Sequence, residues 1–370
     1  NYIDLGKDCS TAEINPLFSD SVYIDRLSRI PAVMEMPYND IIRKFIDMYA
    51  GRLRNQVSFM LSACNFYMPI FEEALDAYGL PLELRYLPII ESALNPSAVS
   101  RAGASGLWQF MIGTGKIYGL ESNSLVDERR DPIKATWAAA RYLKEMYDIY
   151  GDWNLVIAAY NCGPGTINKA IRRANGETDY WKIYNYLPKE TRGYVPAFIA
   201  ANYVMTYYCD HNICPMETNI PASTDTVQVN KNLHFEQIAD LCNVPLDQIK
   251  SLNPQYKKQI IPGDNKPYTL RLPIEAISTF IDRQDTIFAH RADELFRNRK
   301  TVAVKEISPS TRRAATAVAG KGKPTYYKIK SGDTLSSIAE KYGVRVKDIQ
   351  RWNGMSNTKI AAGKRLKIYK

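Results

Sequence analysis

Cysteine, histidine and long apolar runs are all scarce in this chain of 370 residues. Six cysteines, Cys9, Cys64, Cys162, Cys209, Cys214 and Cys242, are too few for a disulfide scaffold at this length, although an oxidising compartment stays open. Of the three histidines, His211 sits between Cys209 and Cys214 in "CDHNIC", which invites a metal reading. His234 and His290 are scattered, however, and a zinc site needs about four ligands at defined spacing. No metal and no other cofactor is therefore expected, and a local disulfide or two thiols is the expectation for Cys209 and Cys214. No run of ~18 consecutive apolar residues occurs, so no membrane span is expected. The first residue is Asn1 and no basic-then-apolar segment follows it, so any export signal is expected to be removed or never present. Targeting gives no localisation.

What is present suits two or three globular domains: 45% of residues are hydrophobic and 24% charged. The charge is uneven. From Lys300 onward there are 17 Lys and Arg against 4 Asp and Glu, a balance of +13, so the formal +9 of the whole chain leaves −4 for residues 1–299. A basic tail suits polyanions in general: nucleic acid, an anionic membrane or an anionic wall polymer, and equally a solvated face.

Residues 30–210 carry mainly helical patterns. In "DPIKATWAAARYLKEMYDIYG", Asp131 can cap, Pro132 takes the first helical position and Gly151 closes the end. The spacing of Ile133, Trp137, Ala140, Leu143 and Tyr147 predicts that their shared face is core. "LPLELRYLPIIESAL" predicts a second helix, entered through Pro81 and kinked at Pro88, and "ETRGYVPAFIAANYVMTYY" a third. Beyond residue 220 the texture changes. A short strand, two short helical patterns, a Pro/Gly/Asn loop and the strand "YTLRLP" make a unit of about fifty residues, and the same order returns in "YYKIKSGDTLSSIAEKYGVRVKDIQRWNGMSNTKIAAGKRLKIYK". This recurrence marks two copies of one small α+β module (βααβ). Between them "VAVKEISPSTRRAATAVAGKGKP" has the composition of a flexible linker.

The chemistry centres on "IIESALNPSAVSRAGASGLWQF", which sets Glu91 in an apolar run. Desolvation disfavours the charged form, so a glutamate held there keeps its proton near neutral pH, as a general acid requires. These residues alone leave open a surface glutamate on an amphipathic helix. Three features point further. "AGASGLWQF" gives a small-residue loop into a helix expected to start near Leu107, presenting Gln109. "AAYNCGPG" places Tyr160 and Asn161 at a helix terminus, and Glu190 and Tyr194, four apart in "KETRGYV", are expected on one helical face.

In that order, E-S, G-L-W-Q-F-M, A-Y-N-x-G-P-G and E-T-R-x-Y-V resemble the catalytic domain of soluble-lytic-transglycosylase-like enzymes, relatives of goose-type lysozyme. In particular the chain resembles the membrane-bound lytic murein transglycosylase D group, in which that domain is joined to LysM repeats. The later unit, with "SGDTLSSIAEKYGV", is similar to LysM; the earlier one lacks "GDTL". The chain then divides into an N-terminal helical extension (1–60), a mainly α lysozyme-like domain (61–215), a degenerate LysM-like module (226–273), a helical segment with linker (274–324) and a LysM module (325–370).

The resemblance implies Glu91 as sole acid/base, Ser100, Gln109, Met111, Tyr160, Asn161, Glu190 and Tyr194 as sugar-cleft residues, and Gly332, Asp333 and Thr334 as glycan contacts. Cys162 stands where alanine is usual and Ile112-Gly113 where Pro-Ser is common; neither touches the acid. The implied reaction cleaves the β-1,4 bond between N-acetylmuramic acid and N-acetylglucosamine and leaves 1,6-anhydro ends. The implied protein is a secreted, monomeric bacterial protein, periplasmic or associated with the outer membrane, with peptidoglycan strands as partner and any lipid anchor outside this sequence. Its rivals are a lysozyme-like hydrolase and a non-catalytic wall-binding protein. Nucleic acid is not expected, because the tail's charge comes with no groove-docking or base-stacking motif.

Overall fold

The computed structural model describes residues 3, 9, 10, 14–218, 220, 221, 223–296, 325–330, 333–342, 344, 346–355 and 360–369. Two compact units divide the chain, Asn1–Val304 and Lys305–Lys370. Among the described residues no helix is long and apolar enough to cross a membrane.

The first unit opens with α1 (Asp20–Ser28), α2 (Asp40–Ala50) and α3 (Arg54–Ala77). α3 is the longest, carries Pro69 inside it, and runs straight through the expected boundary at residue 60. It buries Met60, Leu61, Cys64 and Phe71 in the core and packs on α6 (Pro132–Tyr150), which packs in turn on α7 (Trp153–Cys162). Trp108 is fully buried at the centre, edge-on to Phe71 at 5.3 Å, with its indole N–H donated to Thr136 Oγ1 at 2.9 Å. Partnering that polar atom is what allows so large a ring inside.

α6 starts and stops where expected: Asp131 accepts from the Ile133 and Lys134 amides, both at 3.0 Å, and Gly151 closes it at φ 62°. Its buried face is another matter. Ala135, Ala139, Ala140, Leu143 and Met146 face the core, whereas Ile133 and Trp137 are each 37% exposed. Alanines let α3 and α7 approach closely, and that packing overrides the stripe of larger residues.

Pro88 does not kink one helix; it separates two. A 3-10 turn covers Leu82–Tyr86, and α4 (Leu87–Ser92) begins with Pro88 in its first turn, where the missing amide hydrogen costs nothing. The helix expected near Leu107 begins instead at α5 (Ile112–Ile117), and Leu107 to Phe110 form a turn. α8 (Pro164–Arg173), α9 (Tyr180–Ile183), α10 (Lys189–Arg192) and α11 (Tyr194–Thr206) follow, with α11 lying along α2. Glu190 and Tyr194 thus belong to two helices divided at Gly193, one side chain exposed and the other buried.

"CDHNIC" is not a cluster. Cys214 forms its disulfide with Cys9, 205 residues away, so neither expected arrangement, a local disulfide with Cys209 or two thiols, holds for Cys214. His211 points into the core, 3.2 Å from Tyr203 Oη, and burial pushes its pKa down to about 4.

The first module is β1 (Thr224–Val229), β2 (Asn232–His234), α12 (Phe235–Cys242), α13 (Leu246–Leu252), β3 (Ile260–Pro262) and β4 (Tyr268–Pro273). β1 pairs antiparallel with β4, Thr224 opposite Pro273, and β2 with β3, Leu233 opposite Ile261. α14 (Ile274–Asp282) and α15 (Gln284–Ala289) belong to the same core through Ala276, Phe280 and Ile287. α16 (Ala292–Leu295) ends the described part of the first unit.

The second module, β5 (Thr325–Lys328), α17 (Leu335–Tyr342), α18 (Val346–Trp352) and β6 (Arg365–Ile368), has its own core of Ile329, Leu335, Ile338, Ile349, Leu366 and Ile368. Kinship between the modules is visible in one side chain. Asn253 donates to Ile249 O at 2.9 Å and Arg271 O at 2.8 Å and accepts from the Arg271 amide at 2.8 Å. Asn353 makes the same three bonds, to Ile349 O and Lys367 O at 2.8 Å and from the Lys367 amide at 2.7 Å. Each asparagine locks the second helix of its module to the last strand. The linker stretch 297–324 lies outside the described residues.

Candidate active site

α4 delivers Glu91 in its last turn and then stops abruptly. Ala93 and Leu94 take φ of 51° and 58°, the left-handed region that a bulky leucine rarely enters. Ser92 Oγ, 2.9 Å from Leu107 O and 3.0 Å from Pro88 O, ties this terminus to the small-residue loop. Backbone held in a sparse region by its surroundings is a mark of functional sites.

Glu91 opens onto a cleft of about 380 Å³ lined also by Ile89, Ala98, Val99, Ser100 and Gln109, and by Tyr49, Gln56 and Met60 from earlier helices. It is the only carboxylate among these lining residues. Burial raises its pKa to about 7, against the opposing hydrogen bond donated by Tyr194 Oη to Glu91 Oε1 and with a further upward push from the charge of Glu190. At neutral pH the group is divided between acid and base, which suits a residue that must first give and then take a proton.

The expected site residues stand in different relations to Glu91. Tyr194 touches it, and burial together with the Glu91 charge raises the phenol well above its ordinary value, so that Tyr194 stays a donor. Tyr160 gives its hydroxyl proton to Trp108 O at 2.7 Å. Burial and then the charge of Glu91 lift its pKa too. Asn161 Oδ1 accepts from Thr191 Oγ1 at 2.9 Å, which leaves its amide hydrogens available. Ser100 and Gln109 line the cleft, but Gln109, at φ 50°, turns its amide nitrogen inward to Gly106 O at 2.8 Å and Ala98 O at 3.2 Å. Its carbonyl oxygen is what remains for a ligand. Glu190 acts on Glu91 only through its charge, and Met111 is 44% exposed beside α5, outside the cleft lining. In the second module, Asp333 Oδ2 accepts from Tyr327 Oη at 2.9 Å and from the Lys330 amide at 2.8 Å, so it braces its own turn; Thr334 is exposed, and Gly332 lies outside the described residues.

The Transglycosylase SLT domain family matches residues 68–183, the Lytic transglycosylase MltD, LysM-like domain residues 223–289, and the LysM domain residues 327–368. Membrane-bound lytic murein transglycosylase D of Escherichia coli K12 is 31% identical over 341 residues, which are 90% of this chain and 70% of that protein. The chain belongs to the membrane-bound lytic murein transglycosylase D family. The soluble lytic murein transglycosylase of the same strain is 33% identical over 124 residues, 32% of this chain and 19% of its own. The crystal structure of the 70 kDa soluble lytic transglycosylase from Escherichia coli is 28% identical in sequence and covers 41% of this chain and 26% of its own, at a TM-score of 0.34.

In this member of the lytic transglycosylase D family, one wall of the cleft carries no signal in the sequence. Tyr49 from α2 and Gln56 and Met60 from α3 line the same cleft as Glu91, although α2 and the start of α3 precede the span matched as the SLT domain. Tyr49 is buried, its phenol is pushed up to about 12, and its hydroxyl makes no hydrogen bond among the described residues. Only the packing of α2 along α11, the helix that carries Tyr194, brings it there.

The Tyr194 contact has a measurable consequence. Its hydrogen bond favours the carboxylate, so Tyr194→Phe raises the Glu91 pKa further, and the alkaline limb of the kcat/KM profile moves to higher pH. A limb that stays in place or moves down would show that the two groups are not coupled.

Proposed function

We propose that Glu91 is the single acid and base of the reaction; the chain is a lytic murein transglycosylase acting on peptidoglycan, as its family and domains make it. The observation that carries the role is one carboxylate, alone in the cleft lining and poised near neutrality. Hydrolysing glycosidases use two carboxylates, the second to activate water or attack the sugar. A transglycosylase has no need of the second.

Protonated Glu91 gives its proton to the glycosidic oxygen between C1 of N-acetylmuramic acid and C4 of N-acetylglucosamine, and that bond breaks. The carbonyl oxygen of the muramyl acetamido group stabilises the cationic C1. Ionised Glu91 then accepts the proton of the muramyl C6 hydroxyl, O6 bonds to C1, and the 1,6-anhydro ring closes without water. Both partners of the closure belong to one sugar, which gives the attack a high effective concentration. Asn161, through its amide hydrogens, and Ser100 orient the acetamido and hydroxyl groups, and Gln109 accepts through its carbonyl. Met111 and Glu190 extend the sugar-binding surface at its margin.

The reaction takes place in the bacterial envelope, on the periplasmic side of the outer membrane, with the protein as a monomer and any anchor supplied outside this sequence. The second module binds N-acetylglucosamine-containing glycan around Gly332, Asp333 and Thr334, and the basic tail adds attraction to wall carboxylates. Deleting residues 300–370 therefore weakens binding to insoluble wall and leaves turnover of short soluble glycan unchanged, because a tethered module raises local concentration and not the chemical rate. Pull-down on sacculi beside a soluble-substrate assay checks it; equal loss in both would overturn it.

Mass spectrometry of fragments released from purified peptidoglycan tests the reaction itself. Anhydro-muropeptides are expected. Reducing muramic acid ends would assign the cleft to a lysozyme-like hydrolase, and binding without any release would make the chain a wall-binding protein.

A further inference from the structure

We infer that the first LysM-like module is a fixed buttress of the cleft, and that Arg129 is the positioning residue through which it holds the substrate loop. The module is not merely tethered to the catalytic helices. Segment 121–128 leaves those helices and adds itself to the module: Leu125 and Val126 are buried in the module's core, and Val126 pairs with Tyr256. The Asp127 amide donates to Gln255 O and the Lys257 amide to Leu125 O, both at 2.8 Å. Glu121 accepts from Tyr268 Oη at 3.0 Å and pairs with Lys266 at 2.7 Å. Backbone pairing, shared core and an ion pair together fix one body to the other.

The far end of the segment grips the cleft. Arg129 is buried, with its Nε and one terminal nitrogen on the Asp127 carboxylate at 2.9 and 2.8 Å. The other terminal nitrogen donates to Gly103 O at 2.8 Å and Phe110 O at 2.9 Å. Arg130 adds a bond from Nε to Ser105 Oγ at 3.0 Å. Phe110 follows Gln109 directly, and Gly103 closes the turn of Ser100, its amide donating to Ser100 O at 2.9 Å, so one guanidinium holds the two ends of the stretch between these cleft-lining residues. Only a planar fork reaches a carboxylate and two carbonyls at once; an ammonium on a flexible stem does not. Removing it takes the guanidinium partner from the buried Asp127 and leaves Gly103 O without a donor, while Phe110 O keeps only the Ser105 amide at 3.0 Å.

The module thus aids substrate binding without touching the sugar, by holding a loop in register. This inference rests on the cleft around Glu91 being the glycan site, and its test separates binding from turnover. Arg129→Lys and the module-side pair Lys266→Met with Tyr268→Phe are made in the full chain, in the wild type and in a Glu91→Gln background. Calorimetry with a purified short peptidoglycan oligosaccharide reads binding in the Glu91→Gln proteins, where turnover plays no part, and initial rates read KM and kcat in the others. Arg129→Lys weakens binding and raises KM about tenfold, with a smaller change in kcat and no movement of the pH profile, since misplacement of a binding loop acts on positioning. The module-side pair does the same by about threefold, through the loosened segment. Unchanged binding and KM in both proteins would overturn the inference. A loss confined to Arg129→Lys would overturn the module's part in it, and if that variant does not fold, the module-side pair decides alone. Loss of oligosaccharide binding in the variants while wild type releases no anhydro ends would count against the catalytic reading and for the positioning one.

Discussion

Glu91→Gln loses catalysis and gains stability. As the one group that gives and then takes the proton, Glu91 contributes on the order of 10²–10⁴ in rate, and the amide can do neither, so release of anhydro-muropeptides falls by about that factor. The glutamine keeps the shape and can still accept the Tyr194 hydroxyl, so the cleft stays formed. Stability moves the other way. Burial lifts the Glu91 pKa from 4.5 to about 7 in the folded chain, so across that window the folded state holds more protons than the unfolded one. Unfolding free energy therefore falls as pH rises through the window, at up to ~1.4 kcal/mol per pH, which sums to about 3 kcal/mol by pH 7 and stays lost above it. The glutamine has no charged form to desolvate and escapes this loss. Denaturant melts of the two proteins then coincide near pH 4 and separate above it, with the variant the more stable by about 3 kcal/mol at pH 8. Curves that coincide at pH 8 would show that Glu91 is not desolvated, and full activity in the variant that it is not catalytic.

The burial of Glu91 was legible in part, because an acid inside an apolar run followed by a tight loop is a local feature; the run alone leaves a surface glutamate open, and the resemblance of the later motifs singles Glu91 out. Asp131, Pro132 and Gly151 were legible outright, because their capping roles depend on their nearest neighbours. What was not legible is made by distant packing. Tyr49 and Gln56 reach the cleft because α2 lies along α11, and nothing within either segment encodes the meeting. The α6 stripe was misplaced because alanines, which score weakly as core, were chosen by the close approach of α3 and α7. Cys9 joins Cys214 across almost the length of the catalytic unit, where spacing carries no information. Gln109 shows both sides. Its place beside the cleft followed from the motif, but the inward turn of its amide follows from the left-handed backbone at that residue and from carbonyls that needed a donor.

Gly106→Ala abolishes the cleft's geometry and costs the protein several kcal/mol. Two independent constraints meet at this position. Its φ is +87°, where a side chain is strained, and a Cβ built on it would lie 1.7 Å from Arg129 O and 2.7 Å from Arg129 C. Backbone cannot step aside as a flexible side chain can, and Arg129 is held by the bonds of its guanidinium to Asp127, Gly103 and Phe110. The left-handed conformation alone costs an alanine about 1–2 kcal/mol, and the overlap adds roughly 1–3 or more, for about 4 kcal/mol in all. Against the 5–15 kcal/mol that typically holds a domain folded, that is a large share. Gly119 separates the two causes. It has a similar φ of +83° but nothing within 4 Å of its Cβ, so Gly119→Ala meets only the conformational cost of about 1–2 kcal/mol. Urea midpoints of the two variants read the difference directly, and glycan binding should fail in Gly106→Ala alone, because the only relief for the overlap is to part the loop of Ser100 and Gln109 from Arg129. Equal midpoints would mean that the loop and Arg129 are not in the contact on which the cleft's shape depends.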